Sequence, residues 1–367
     1  MLILGTLSEL LLYTCFALLM GDYILAIVPD TRKPKVMVPK SVRLLVVVGI
    51  VLFSFVPILK LFFYLREDYG AGGALESILL TFTVGQSWLI TFLLSIILGM
   101  FTVVIDGMEG RRYPLVGIGL TVALILCMGW AGHAASMYPV QGFLTHVLHF
   151  LAVSVWIGVL FVVGYFSEGK GNWRRFLKWF HIIAVVCFLI TLGTGLLMMQ
   201  FIVTWESYTE SWILPYGQSL LIKHILIIPL LMYALVNGTI IKGKLKREPT
   251  FNPKPWVRIE FVVVALVYSA TGAMGQQSPP HNLESLLERE GASRLFTLFH
   301  GDPGTVVDAV TLSPNVTALL TGGIAVIFLA LGFVSFVKKI SPIFSFFMSM
   351  LFLVGIYVAL MLSVQII

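Results

Sequence analysis

Ten apolar runs, each long enough to cross a bilayer, dominate the sequence. They cover roughly residues 3–28, 44–65, 84–105, 114–136, 143–166, 176–203, 217–240, 258–276, 316–337 and 342–366. A hydrocarbon core about 30 Å thick is crossed by about twenty apolar residues in helical form. No water is available there, so backbone groups must bond within the segment and the runs predict helices. Composition points the same way: 58% of residues are hydrophobic and 11% charged, whereas a soluble domain is about a quarter charged. Soluble globular, disordered, collagen-like, disulfide-rich secreted and nucleic-acid-binding classes are excluded on those grounds. The expected fold is all-α, a polytopic transmembrane bundle of about ten spans (eight to ten). No internal repeat or low-complexity tract divides it, so 1–367 reads as a single transmembrane domain.

Orientation follows from the basic residues. Loops 29–43, 106–113, 167–178, 241–258 and 338–341 hold 19 of the 24 Lys and Arg residues. Positively charged loops stay cytoplasmic, which predicts both termini outside and accounts for the net charge of +6 without an anionic partner. Met1 to Val28 lacks a basic leader and a small-residue cleavage site, and is expected to be a retained helix. Residues 66–83 are Gly-rich and partly apolar, expected as a short interfacial or re-entrant segment. Residues 137–142 are expected as a tight turn. Residues 277–315 form the one sizeable outer loop, where Asn282 could cap a short amphipathic helix carrying Leu283, Leu286 and Leu287. Cys15, Cys127 and Cys187 lie within apolar runs, as small packing residues with no CxxC spacing.

Ionisable residues inside a bilayer are costly and tend to carry function, so the seven histidines matter. His133 is expected to end the fourth span. His146 and His149 open the fifth, three residues apart and therefore on one helix face. The short connection predicts that these three imidazoles converge in the outer leaflet. Met137 and Met199 bring thioethers to the same depth. Imidazole suits copper in either oxidation state and thioether sulfur favours Cu+, so a His/Met set points to Cu+ or Cu2+ rather than zinc, calcium or magnesium. Trp156 lies seven residues after His149, where it packs either beneath a metal site or simply in the core. Lys223 and His224 lie near the outer end of the seventh span; Lys223 either snorkels or pairs with Glu206, Glu210 or a bound anion. Glu260 is either a snorkelling partner of Arg258 or an inner-side ligand or proton site. His281 and His300 stand in the outer loop, where solvated positions are the simpler reading.

Other chemistries find no support in the sequence. It has no phosphate-binding glycine loop and no dinucleotide fingerprint, so no nucleotide is expected. The outer histidines have no carboxylate orienter in a recognisable catalytic motif, so no catalytic residues are assigned and the chain is not expected to be an enzyme.

Several of these residues together resemble the CopD family of bacterial copper-resistance and copper-uptake membrane proteins. Gly132-His133-Ala134 is similar to that family's GHA signature, and His149, Trp156 and Gly158 to its H-x6-W-x-G helix. Arg175-Phe176, Thr194-Gly195, and Tyr216-Gly217 followed by Leu220, Leu221 and Lys223 match further elements. Asn237, Glu260 and Pro279-Pro280 complete the series. The resemblance covers about 130–280, a CopD-like core, and leaves 316–367 as two extra C-terminal spans. His146 departs from it, since many relatives have an acidic residue there.

The resemblance implies a multi-pass protein of the bacterial plasma (inner) membrane that moves copper, commonly inward. The expected function is therefore a copper transporter that takes the ion at an outer His/Met site and passes it toward the cytoplasm. His133, His146, His149, Met137 and Met199 are its expected ligands, with Trp156, Lys223, His224 and Glu260 in support. Expected partners are copper, membrane lipid and a candidate extracytoplasmic copper-binding protein. Two alternatives stay open. A haem b redox protein would use two histidines on facing helices as axial ligands. A copper chaperone or assembly factor would bind copper without moving it.

Overall fold

The computed structural model describes residues 1–104, 112–169, 171–280, 282–304 and 309–366. Ten helices within it are long and apolar enough to span a membrane, and the chain is a polytopic helical membrane protein. Most of the loop at 106–113 and the whole of His281 lie outside the described residues.

Packing divides the chain into two compact units, residues 1–201 with 242–254, and residues 202–241 with 255–367. The sequence-based expectation was one domain.

The first unit contains α1 (Leu2–Ile27), α2 (Lys40–Leu80), α3 (Thr83–Val104), α4 (Arg112–Trp130), the short α5 (His133–Met137), α6 (Gln141–Phe166) and α7 (Trp173–Ile202), the last residue of which belongs to the second unit. α1 and α6 approach closely because small residues meet at their contact. A methyl group on Gly21 would collide with the Gly158 main chain, and one on Gly158 with the Ala17 carbonyl. Lipid is as apolar as leucine, so such backbone approach, not hydrophobicity, drives helix association in a bilayer. An Asp22–Arg43 ion pair (Nε–Oδ2 2.6 Å) joins α1 to α2, with Asp22 buried. Strands β1 (Lys35–Val36) and β2 (Ser167–Glu168) pair antiparallel, Lys35 opposite Glu168. Side chains such as Leu52, Leu93 and Leu189 remain largely exposed, as expected of a lipid-facing surface.

Two segments differ from the sequence reading. The expected interfacial stretch 66–83 instead extends α2 to Leu80 through a break at Gly70 (φ 69°, ψ 166°), a conformation open to glycine. The fourth span stops at Trp130, six residues earlier than expected. Gly129 and Gly132 weaken the helix, and Gly132 turns extended (φ −74°, ψ 149°) to start α5. His133 therefore stands on a separate short helix rather than at the end of a span.

The second unit contains α8 (Pro215–Leu235), α10 (Lys254–Gly275, from Pro255 onward), α11 (Leu283–Glu290), α12 (Arg294–His300), α13 (Val316–Val337) and α14 (Pro342–Ser363). α8 runs through a π-helical turn, Val236–Ile240, into α9 (Ile241–Arg247), whose residues from Lys242 onward belong to the first unit. Residues 283–300 are folded into two short helices: the Asn282 side chain accepts from Ser285 N–H (3.0 Å) to cap α11, and Ser293 caps α12. Leu286, Leu287 and Phe296 pack with Trp212, Ile213, Leu221, Phe352 and Met361. Strands β3 (Val310–Leu312) and β4 (Val364–Ile366) pair antiparallel. The Tyr233 hydroxyl meets Ser345 (3.0 Å) and Ser349 (3.1 Å), fastening α14 to α8.

Candidate metal centre

Two glycines shape the surroundings of the histidines in the first unit. The His146 imidazole lies against the Gly132 main chain so tightly that a methyl group there would collide with His146 Nδ1. Gly132 thus brings the His146 ring up to the residue beside His133. One turn along α6, the His149 ring lies against Gly195 of α7, where an added methyl would stand 3.3 Å from His149 Cε1. His149 Nδ1 is 3.1 Å from Thr194 Oγ1.

The shortest of the threonine's contacts assigns the direction of that bond. A threonine hydroxyl has one proton, and Thr194 Oγ1 donates to the Ile190 carbonyl (2.6 Å), with a longer contact to Thr191 (3.3 Å). Its lone pair therefore accepts from His149 Nδ1–H. In the neutral ring this leaves the lone pair on Nε2, the tautomer in which Nε2 can ligate a metal.

The methionines differ in exposure. Met199 is buried on α7 and Met137 is exposed at the end of α5. The neighbouring rings of Tyr138 and Phe201 stand 4.6 Å apart, which places the chain next to Met137 against the end of α7 that carries Met199. His133 is exposed, and His146 and His149 are half-buried. Among the described residues no three His, Cys, Asp or Glu side chains are grouped so as to hold a metal ion. A site made by these histidines would therefore need a thioether ligand or movement of the exposed His133. The donor chemistry itself, neutral imidazole with thioether sulfur, fits copper. Trp156 is buried seven residues beyond His149 and meets Phe188 edge to face at 5.9 Å.

The other supporting residues belong to the second unit. His224 Nδ1 is 2.6 Å from the Tyr208 hydroxyl. The sequence offered no sign of this pairing, because Tyr208 lies in an irregular loop where no periodicity applies. Lys223 is half-buried. Glu260 is only 1% exposed and accepts from Asn237 Nδ2 (2.6 Å), so it is not a snorkelling residue at the membrane edge. In the 277–315 segment, His300 stacks at a tilt on Phe296 (4.7 Å) rather than standing solvated.

Residues 174–274 match the family model of copper resistance protein D, CopD. The matched stretch includes Arg175-Phe176, Thr194-Gly195, Lys223, Asn237 and Glu260, and begins after His133, His146 and His149. The chain is also similar to inner membrane protein YebZ of Escherichia coli (strain K12), 26% identical over 193 residues. That similarity covers 48% of this chain and 63% of the relative, so the chain spans less than two thirds of that relative's length. No solved structure matches the chain.

Proposed function

We propose that this chain is a copper transporter of the bacterial inner membrane that accepts copper at a His/Met site and passes it toward the cytoplasm. The observation that carries the reading is His149, whose Nδ1 is held by Thr194 so that Nε2 carries the lone pair. Thr194 lies within the stretch similar to copper resistance protein D. His146 and His133 supply further imidazoles beside Gly132, and Met199 and Met137 supply thioethers. The exposure of His133 and Met137 suits exchange with an extracytoplasmic copper donor. The basic loops support both termini lying outside, an orientation in which the histidine end of α6 would face the outer surface.

Copper flux into vesicles containing the purified protein tests the proposal. Uptake that is lost in His149→Ala supports it. Copper binding with no flux assigns the chain to a chaperone or assembly role, and the absence of both removes the copper reading.

A further inference from the structure

Two short neighbouring helices of the second unit, α11 and α12, present outward surfaces of opposite character. On α11 the exposed side chains are polar, Glu284, Ser285, Glu288, Arg289 and Glu290, while Leu286 and Leu287 are buried. On α12 the exposed side chains are Arg294, Leu295 and Leu298, and Leu298 is 78% exposed. Leu295 and Leu298 are three residues apart, Arg294 and Leu298 four, so the three share one face. The other face carries Phe296, fully buried in the core of the unit, and Phe299, packed against that core.

The partners of α12 set its level relative to the spans. α14 has 22 residues, about 33 Å of helix, little more than a hydrocarbon core of about 30 Å. Its end is level with the start of α13, because the Ser363 carbonyl accepts from Ser313 N–H (2.7 Å) and the Leu362 carbonyl from Asn315 Nδ2 (3.1 Å), the cap of α13. Tyr357 lies six residues before that end, about 9 Å along the axis, and its ring stands 6.0 Å from that of Phe299. The Tyr357 hydroxyl donates to Gln218 Oε1 (2.6 Å) in the first turn of α8. Ser293 N–H, at the cap of α12, donates to the Ile213 carbonyl (2.7 Å) just before α8 begins.

α12 therefore packs beside the last turns of α14 and the first turn of α8, rather than above them in water. At that level an apolar face left uncovered by protein meets lipid. Val316 and Leu319, in the first turn of α13, are exposed apolar side chains at the same end of the spans. Arg294 has the reach to extend its guanidinium to the aqueous side while its stem stays with the leucines. We propose that α12 is a membrane-interface anchor whose partner is phospholipid, with Leu295 and Leu298 entering the boundary between headgroups and acyl chains and α11 remaining in water. A helix of 7 residues is too short to be stable alone, and Phe296 and Phe299 hold it in place. The inference does not depend on the copper reading, because it uses no metal and no residue of the histidine cluster.

The test uses the full chain reconstituted in vesicles of phosphatidylethanolamine and phosphatidylglycerol. A nitroxide label is placed on Leu295→Cys, on Leu298→Cys and, as a water-facing reference, on Glu288→Cys. The unsubstituted chain gives the background from Cys15, Cys127 and Cys187. Power-saturation EPR then measures collision with oxygen, which concentrates among acyl chains, and with a neutral Ni2+ chelate, which stays in water. The expected result is oxygen collision exceeding nickel collision at positions 295 and 298, with the order reversed at 288. Label depths at 295 and 298 should fall within about 5–10 Å of the headgroups. Nickel collision at Leu298→Cys equal to that at Glu288→Cys would show a water-facing helix and overturn the proposal. Collision with neither agent at 295 and 298 would show that protein covers the face, as in contact between two copies of the chain, and would overturn it equally.

Discussion

His149 Nδ1 and Thr194 Oγ1 stand 3.1 Å apart across α6 and α7, and the threonine hydroxyl spends its own proton on the Ile190 carbonyl. The pair therefore selects one tautomer of a half-buried imidazole and points its chemistry to Nε2. Residues that orient a ligating histidine in this way raise its basicity and restrict its ring.

Removing the orienting group should weaken copper binding without removing a ligand. Thr194→Ala is expected to lower copper affinity by about 10- to 100-fold, the usual effect of losing an outer-shell partner. Thr194→Ser keeps the hydroxyl and should bind nearly as wild type. His149→Ala should lose more than Thr194→Ala. Competition titration against a chromogenic copper chelator ranks the variants.

The glycines predict an order of sensitivity. Gly132→Ala would drive a methyl into His146 Nδ1, whereas the methyl of Gly195→Ala would meet His149 Cε1 at 3.3 Å, a tight contact that a small shift relieves. Gly132→Ala should therefore reduce copper binding more than Gly195→Ala in the same titration. The reverse order would show that His146 is not part of the site.

Much of the fold was legible because span length is a local signal. The ten helices follow the apolar runs, and the Asn282 side chain caps α11 by accepting from Ser285 N–H three residues on. The end of the fourth span was misjudged because apolar composition continues through Ala131, Ala134 and Ala135, while two glycines decide the break. Helix spacing placed His146 and His149 on one face, but it could not reveal which helix receives each ring. Gly132 and Gly195 settle that through close approach, and neither contact has a sequence period. Asn237–Glu260 and Tyr233–Ser345 were hidden for the same reason: their partners lie 23 and 112 residues apart.

Acid should release copper. An ordinary histidine titrates near pH 6.5, and its protonated ring has no lone pair to donate. Affinity is thus expected in full above that range and to fall as pH drops through it. A free imidazole passes from mostly neutral to mostly protonated between about pH 7.5 and pH 5. Affinity measured across this interval and found flat would argue against histidine ligation.

The packing of α11 and α12 depends on Phe296, which is fully buried among Trp212, Ile213 and Met361. Phe296→Ala should destabilise the second unit by about 3–5 kcal/mol, since a large buried ring leaves a cavity. Thermal unfolding in detergent should show a lower Tm. Limited proteolysis should cut first within 277–315. Loss of Tm with an uncut segment would place the damage elsewhere.

The most direct measurement of the central claim is the copper and iron content of the purified, detergent-solubilised chain by elemental mass spectrometry, beside His149→Ala. The account predicts copper near one or more per chain in the wild type, a sharp loss in the variant, and little iron. Iron near one per chain with little copper, together with a Soret band, would contradict it and make the same histidines haem ligands.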